Sequence, residues 1–357
     1  FAATKQTFSS LLSMVPGVYS PDFGNMKTDG NIEFNGAVKG LYSEESMPGF
    51  DFNLKVSNAW FQYPDLPSKV DKIAVDLAVN RDAGGDLNNT KIDINKFYLE
   101  FLANKIDASL KLRNAMLDPN IDAKLMAYIN LADLGQIIPL EQGEEYSGEI
   151  TSNVELKGNV SALENENYED FKAQGDLLIQ KINYTSPELP YAVNLESMLF
   201  EFSPQYLKLA NFDAKIAQSD FHANGKIDNY LAYFLKDELL KGTFNVSSNY
   251  INADELMGTS SQTQDQETEA VAELSDSTSS GGFSVPENID FVMTTNVKKI
   301  LYDSLDIMNI NGLIKVKEGV ADMQNLSMNI FEGKVAVNGS YATNEKPNGA
   351  VDFALDI

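Results

Sequence analysis

The sequence predicts an all-β fold with few short helices: an elongated, curved or taco-shaped antiparallel β-sheet built from tandem repeats. Two observations lead to this prediction. Apolar and polar residues alternate with a period of two along several segments, and short motifs recur at nearly fixed distances. Such alternation is typical of strands that bury one face only, and these strands usually pair antiparallel. Recurrence at a fixed period is typical of stacked structural units.

The alternation is clearest in two segments of the first half of the chain. Successive side chains of a strand point to opposite faces, so every second residue of a segment is expected on the same face. The apolar positions of the two segments are Ile73, Val75, Leu77, Val79, Ile106, Leu110 and Leu112. We expect these residues to lie together on one apolar face of the sheet.

The repeats are read from three pairs of motifs. Tyr128–Leu134 recurs 122 residues later as Tyr250–Leu256, and Pro64–Pro67 recurs 123 residues later as Pro187–Pro190. A third copy is indicated because residues 211–225 resemble residues 325–339, 114 positions further on. We therefore predict one repeat at 28–140, a second at 146–258 and a truncated third at 283–357, with the chain a segment of a longer protein.

Short helices are predicted to close each repeat. Asn130 precedes Asp133 by three residues, and Asn252 precedes Glu255 by the same spacing, which resembles a capping box. Residues 1–27 are predicted to hold the closing helix of a preceding repeat, because an apolar run ending in a proline occupies the equivalent position there. Residues 259–282, rich in Ser, Thr and acidic residues, lack the apolar content needed to fold and are predicted to be a disordered insertion.

Composition excludes several classes of function. Lys and Arg number 27 against 52 Asp and Glu, a net charge of −25, which repels phosphate backbones and argues against nucleic-acid partners. The chain has no cysteine, so disulfides and thiolate chemistry are excluded. No apolar run approaches the roughly 18 residues that a membrane-spanning helix requires.

Catalysis finds little support in the sequence. His222 is the single histidine, and no phosphate-binding loop, nucleophile elbow or metalloprotease motif is present. Asp82, Asp86 and Asn88 are spaced loosely like calcium ligands but lack the rest of a calcium loop, so a hairpin turn is favoured there. We expect a protein that is not an enzyme, with no cofactor and no metal.

The apolar face itself then becomes the candidate site. One short helix per repeat is too little to cover a repeat of several strands, so the sheet must either fold over on itself or hold an apolar ligand. Two alternatives to a ligand groove stay open. One is a structural or assembly module with a closed core, and the other is a carbohydrate-binding surface that uses Trp60 and Tyr63.

The motifs also resemble a known family. A glycine-initiated strand, Lys241–Val246, leads into the Asn252–Leu256 helix start, and Gly225 and Gly339 stand at strand ends. This pattern resembles the C-terminal region of AsmA-like proteins, and the abundant Asn, Lys and Tyr residues resemble versions from Bacteroidetes-type bacteria. AsmA-like proteins are similar in turn to TamB-like and other bridge-like lipid-transfer proteins.

The resemblance implies a periplasmic location. It also implies that the longer parent protein, of which this chain is a segment, is anchored in the inner membrane. It implies that phospholipid or other acyl lipid moves along a repeating β-groove between membranes at the ends of the parent, which supports outer-membrane assembly. It leaves room for partner proteins of the envelope and assigns no catalytic residues.

Overall fold

A computed structural model describes residues 2–7, 26–41, 48–84, 86–187, 189, 191–236, 239–258, 285–331, 333–342 and 350–356. The chain forms two compact units. The first comprises Phe1–Ile182, Leu199–Leu207 and Phe234–Lys236, and the second comprises Asn183–Met198, Lys208–Tyr233 and Asp237–Ile357. The predicted closing helix within residues 1–27 and the predicted insertion at 259–282 fall largely or wholly outside the described residues.

The predicted all-β class is confirmed, because strands dominate and the helices are short. The strands are β1 Ala2–Thr7, β2 Lys27–Lys39, β3 Gly49–Gln62, β4 Val70–Arg81, β5 Lys91–Phe101, β6 Asn104–Arg113, β7 Asn120–Asn130, β8 Glu145–Asn159, β9 Lys172–Thr185, β10 Val193–Phe202, β11 Leu207–Ile216, β12 Ser219–Ile227, β13 Leu240–Ser248, β14 Ile251–Asn252, β15 Ile289–Tyr302, β16 Leu305–Lys317, β17 Val320–Ile330, β18 Gly333–Ala342 and β19 Ala350–Asp356. The helices are Leu87–Asn89, Leu131–Gln136 and Tyr168–Asp170, which are 3₁₀, and Val160–Glu164, Tyr230–Lys236 and Ala253–Gly258, which are α.

The strand positions repeat along the chain as the sequence motifs do. β9 and β10 each begin 123 residues after β3 and β4. The helix Ala253–Gly258 begins 122 residues after the helix Leu131–Gln136, and each helix follows a copy of the Tyr-Ile-Asn motif. The hairpin of β17 and β18 likewise follows the hairpin of β11 and β12 by 113 to 114 residues. Sequence recurrence therefore corresponds to recurrence of secondary structure.

In the first unit, each strand from β1 to β8 pairs antiparallel with the next strand in the sequence. Several strands contain bulges, and one of them brings two backbones very close together. Gly30 has a φ of +135°, and a Cβ built there would lie 2.4 Å from the Cα of Ala59. Glycine fits this position because it has no Cβ and tolerates positive φ.

The second unit contains a change of strand direction. β12 and β13 pair antiparallel, but β13 and β15 run parallel, and β15 to β19 then pair antiparallel in sequence. Parallel neighbours require a crossover of a dozen or more residues, and the connection from β13 to β15 includes the predicted insertion. The first repeat differs, because β8 runs antiparallel to β7 after a connection over residues 131–144 that includes the helix Leu131–Gln136. The two repeats therefore differ in the direction of the strand that follows the closing helix.

A small buried core lies in each unit. In the first unit, Ile32, Val56, Ala59 and Ile73 pack together with Ile137, which directly follows the helix Leu131–Gln136. In the second unit, Val297, Ile310 and Leu326 form the buried cluster, and Ile251, just before the helix Ala253–Gly258, packs against it. Each core thus contains a residue that flanks a repeat-closing helix.

Candidate functional site

All seven predicted face residues lie on one side of the first unit's sheet. Directly opposed residues of antiparallel strands share a face, so the strand register shows which residues of β2 to β8 lie beside them on that face. We call it the apolar face. Its positions are Ile32, Phe34, Gly36, Val38, Phe50, Phe52, Leu54, Val56, Ala59, Ile73, Val75, Leu77, Val79, Arg81, Ile92, Ile94, Phe97, Leu99, Phe101, Asn104, Ile106, Ala108, Leu110, Leu112, Ile121, Ala123, Leu125, Ala127, Ile129, Ile150, Ser152, Val154, Leu156 and Gly158.

The predicted residues are joined by cross-strand contacts. Leu77 of β4 is opposite Ile94 of β5, which is opposite Leu110 of β6. Val79 and Leu112 are connected in the same way, because each is opposite Ile92. The face is therefore continuous from strand to strand, and the two alternating segments recognised in the sequence are parts of one surface.

Burial varies along the apolar face. At the end near the helix Leu131–Gln136, Ile32 is 1% exposed and Ile73 is 7% exposed. Val75, Leu77 and Val79 are only half-buried, as are Ile106, Leu110 and Leu112. Phe97 and Leu125 are 37% and 38% exposed, although they lie in the middle strands of the face. The face is therefore covered at one end and accessible over much of its length.

The opposite face of the same strands is polar and rich in ion pairs. Nζ of Lys96 lies 2.8 Å from a carboxylate oxygen of Asp107, and Nζ of Lys157 lies 2.8 Å from one of Asp122. Glu155 accepts from the ammonium of Lys172, which lowers the pKa of its carboxyl. Exposed pairs of this kind contribute little to stability individually, but they keep this face hydrated. The sheet is thus strongly two-sided.

One charged residue interrupts the apolar face. Arg81 is the last residue of β4, directly opposite Phe50, and it is the only ionisable residue among the positions of the apolar face given above. Its Nη2 donates to the carbonyl oxygen of Pro48 at 3.1 Å. Its Nε is buried and has no hydrogen-bond partner. A buried donor without a partner is unusual, because the free-energy cost of removing it from water is not offset by a hydrogen bond within the protein.

Hydrogen bonds attach the closing helix to the adjacent hairpin in both complete repeats. Asn104, 1% exposed at the start of β6, accepts from the backbone N–H of Asn130 and donates to Asp133 at 2.7 Å. In the second repeat, Ser219 Oγ takes the place of the Asn104 side chain and accepts from the backbone N–H of Asn252 at 3.0 Å. The sequence did not indicate this connection, because Asn104 and Ser219 do not resemble each other.

The predicted capping boxes are confirmed in part. The Asn252 side chain accepts from the backbone N–H of Glu255 at 3.2 Å, and the Asn130 side chain accepts from Ala132 at 3.1 Å. In a complete capping box, the side chain of Glu255 would also accept a hydrogen bond from the backbone N–H of Asn252. The carboxylate of Glu255 accepts from the side chain of Gln218 at 2.7 Å, because the backbone N–H of Asn252 is already bonded to Ser219.

His222 has two carboxylate partners that the sequence did not reveal. Nδ1 contacts a carboxylate oxygen of Asp213, and Nε2 lies 2.8 Å from one of Asp220. The bond to Asp213 is the main cause that raises the pKa of His222, and the bond to Asp220 adds to it. Burial opposes ionisation of Asp220, but hydrogen bonds from Tyr250 and Asn249 outweigh it, so the pKa of Asp220 is lowered.

This arrangement is structural in character. The hydroxyl of Ser248 donates to Asp220 at 3.2 Å, so Asp220 links His222 to the segment that precedes the second closing helix. Within the described part of the chain, no group of three or more His, Asp or Glu residues is placed to hold a metal ion. Asp86 and Asn88 instead make turn contacts, the first capping the helix Leu87–Asn89 and the second accepting from the backbone of Met116 and Leu117.

Trp60 and Tyr63, the aromatic residues considered for carbohydrate binding, each have an intramolecular contact to their ring. Phe61 and Tyr63 meet edge to face with their ring centroids 6.4 Å apart. The ammonium of Lys69 lies 5.4 Å from the ring centroid of Trp60. The ammonium therefore occupies one face of the Trp60 ring, and a sugar would need to stack on a face of the same ring.

Comparisons with known proteins add no identification. No protein-family model matches the chain, and neither a curated protein nor a solved structure is found to be similar to it. Among the described residues, no helix is long and apolar enough to cross a membrane.

Proposed function

We propose that this protein binds lipids by holding their acyl chains against the apolar face of its β-sheet. The observation that carries the proposal is the accessibility of that face. Two large side chains in its middle strands, Phe97 and Leu125, are more than a third exposed, and they adjoin a continuous apolar surface. Soluble proteins avoid contiguous exposed apolar surface of this extent unless something binds to it.

The register suggests where an acyl chain would fit. Phe97, Ala108 and Leu125 follow one another across β5, β6 and β7, so a small residue separates two large ones. Ala123 is directly opposite Leu110, and Ala127 is directly opposite Ile106, so small residues adjoin large ones along β7 as well. Hydrocarbon against these side chains gains about 0.8 kcal/mol for each buried CH₂ group, without requiring specific polar contacts.

The proposal extends to the role that the family resemblance implies. A protein with such a face in the periplasm would carry phospholipids between the membranes of a bacterial envelope, with the acyl chains on the apolar face and the headgroups in water. The two-sided sheet suits this role, because its ion-paired polar face stays hydrated while the apolar face is occupied. Membership of the AsmA-like family, and anchoring of the parent protein in the inner membrane, belong to the same proposal.

The test is direct binding and transfer of a phospholipid that carries a fluorophore on one acyl chain. The protein should take up the lipid from donor vesicles and deliver it to acceptor vesicles, so that transfer exceeds the spontaneous rate. Leu110→Asp should reduce uptake, because it places a charge in the middle of the face. Ser109→Asp is the matched control, since it adds the same charge one residue away on the polar face. Equal uptake by both variants and the unmodified protein would contradict the proposal.

A further inference from the structure

We infer that Arg81 binds the oxyanion headgroup of a lipid whose acyl chain lies along the apolar face. This inference rests on the proposed function and adds the position and chemistry of the headgroup. It starts from the placement of a single guanidinium at one end of an otherwise uncharged surface. Arg81 ends β4, and Val79, Leu77 and Val75 follow it on the same face toward the buried core.

Among the described residues, Arg81 has no carboxylate partner of the kind that the arginine on the other face has. Arg113, on the polar face, contacts the carboxylate of Asp93 at 2.6 Å. Arg81 makes no ion pair among the described residues, and its side chain donates from Nη2 to the carbonyl of Pro48. In a chain with a net charge of −25, a guanidinium that meets no carboxylate among the described residues is unusual. Its Nε, buried without a partner, is a donor available to a ligand oxygen once the side chain adjusts.

The chemistry of the side chain defines the ligand. A guanidinium presents parallel N–H donors in a planar fork, which matches two oxygens of a phosphate or a carboxylate. The neighbouring face residue Phe50 is apolar, and Phe52 lies opposite the next face residue, Val79. A ligand at this position therefore needs an anionic end for Arg81 and an apolar part for the surface beside it. Phosphodiester lipids and fatty acids both have that combination.

The dimensions agree with this assignment. From Arg81 to Ile73 the strand spans eight residues, which corresponds to about 26 Å at the usual rise per residue. The hydrocarbon core of a bilayer is about 30 Å thick, so one leaflet contributes chains of about 15 Å. An acyl chain that starts at Arg81 and follows β4 would thus end before it reaches the buried core around Ile73.

The experiment compares lipids that differ only in the headgroup. Phosphatidylglycerol and diacylglycerol, each with the same fluorophore on one acyl chain and each delivered from cyclodextrin, are titrated against the whole protein. Arg81→Gln should weaken binding of phosphatidylglycerol about ten- to a hundredfold, the usual effect of losing a charge-assisted hydrogen bond, and leave diacylglycerol unchanged. Arg81→Lys should give a smaller loss for phosphatidylglycerol alone, and it serves as the second variant if Arg81→Gln fails to fold.

Two controls distinguish a headgroup site from a general effect of positive charge and from a site for free phosphate. Lys111→Gln removes an exposed positive charge from β6 on the polar face and should change neither affinity. Inorganic phosphate at millimolar concentration should not displace the labelled lipid. The inference is overturned if Arg81→Gln weakens both lipids equally, if it weakens neither, or if inorganic phosphate alone competes in an Arg81-dependent way. Failure of the unmodified protein to bind either lipid would instead overturn the proposed function on which the inference rests.

Discussion

Replacing Leu110 and Ile32 by aspartate should have very different effects on stability. Both residues lie on the apolar face, but Ile32 is 1% exposed in the buried core, whereas Leu110 is half-buried. Ile32→Asp loses the transfer free energy of a whole side chain and buries an unpaired carboxylate, so it should lower the free energy of unfolding by more than about 4 kcal/mol. Leu110→Asp loses roughly half of that transfer term and leaves its charge accessible to water, a cost of about 1–2 kcal/mol.

Urea denaturation followed by the fluorescence of Trp60, the single tryptophan, measures both effects. Trp60 lies on β3 of the first unit, the unit that contains both substituted positions. Ser109→Asp, on the polar face opposite Lys124, should be close to neutral and serves as the control. If Leu110→Asp destabilised the protein as much as Ile32→Asp, the middle of the apolar face would be a closed core. The reasoning that leads from exposure to lipid binding would then be refuted.

Three further predictions concern the scaffold and its response to pH. Asn104→Ala should lower the free energy of unfolding by about 1–3 kcal/mol, because it leaves the buried hydrogen bonds to the closing helix unmade; an unchanged urea midpoint would contradict this. Gly30→Ala should lower the melting temperature markedly, because its Cβ would overlap the backbone of β3, whereas Gly84→Ala meets no atom within 4 Å and should cost only the smaller strain of positive φ. The pKa of His222 is raised in the folded protein, so its bond to Asp213 should stabilise the fold fully below the unfolded value of about 6.5 and lose that effect as pH rises through the raised pKa. A titration of the His222 ring by NMR should show that raised pKa, and a pKa at or below 6.5 would refute the assignment.

Much of the fold could be predicted from the sequence because its signals are local. Alternation over seven residues in each segment indicates which side chains share a face, and the strand register places every predicted face residue from Ile73 to Leu112 on one side. The 122-residue recurrence also predicted where the second closing helix begins, and the structure adds that β9 and β10 begin 123 residues after β3 and β4. Both signals depend on spacing, and spacing is preserved when individual residues change.

Other features could not be predicted because they depend on which strands pair and in what register. The parallel pairing of β13 with β15 joins two strands that are far apart in the sequence, and no residue pattern within either strand predicts its direction. Asp213 and His222 come together across two strands, and the sequence contains many aspartates with equal claim to that position. In the sequence, nothing distinguishes Arg81 from other arginines at strand ends. Its position on the apolar face is given by the register, which places it opposite Phe50.

Native mass spectrometry of the protein purified without detergent tests the central claim most directly. An accessible apolar face that binds acyl chains should retain lipid through purification, so the spectrum should contain adducts with masses of phospholipids or other acyl lipids. Leu110→Asp should reduce the intensity of these adducts, and Ser109→Asp should preserve it. A lipid-free spectrum of the unmodified protein, persisting after incubation with phospholipid, would contradict the account.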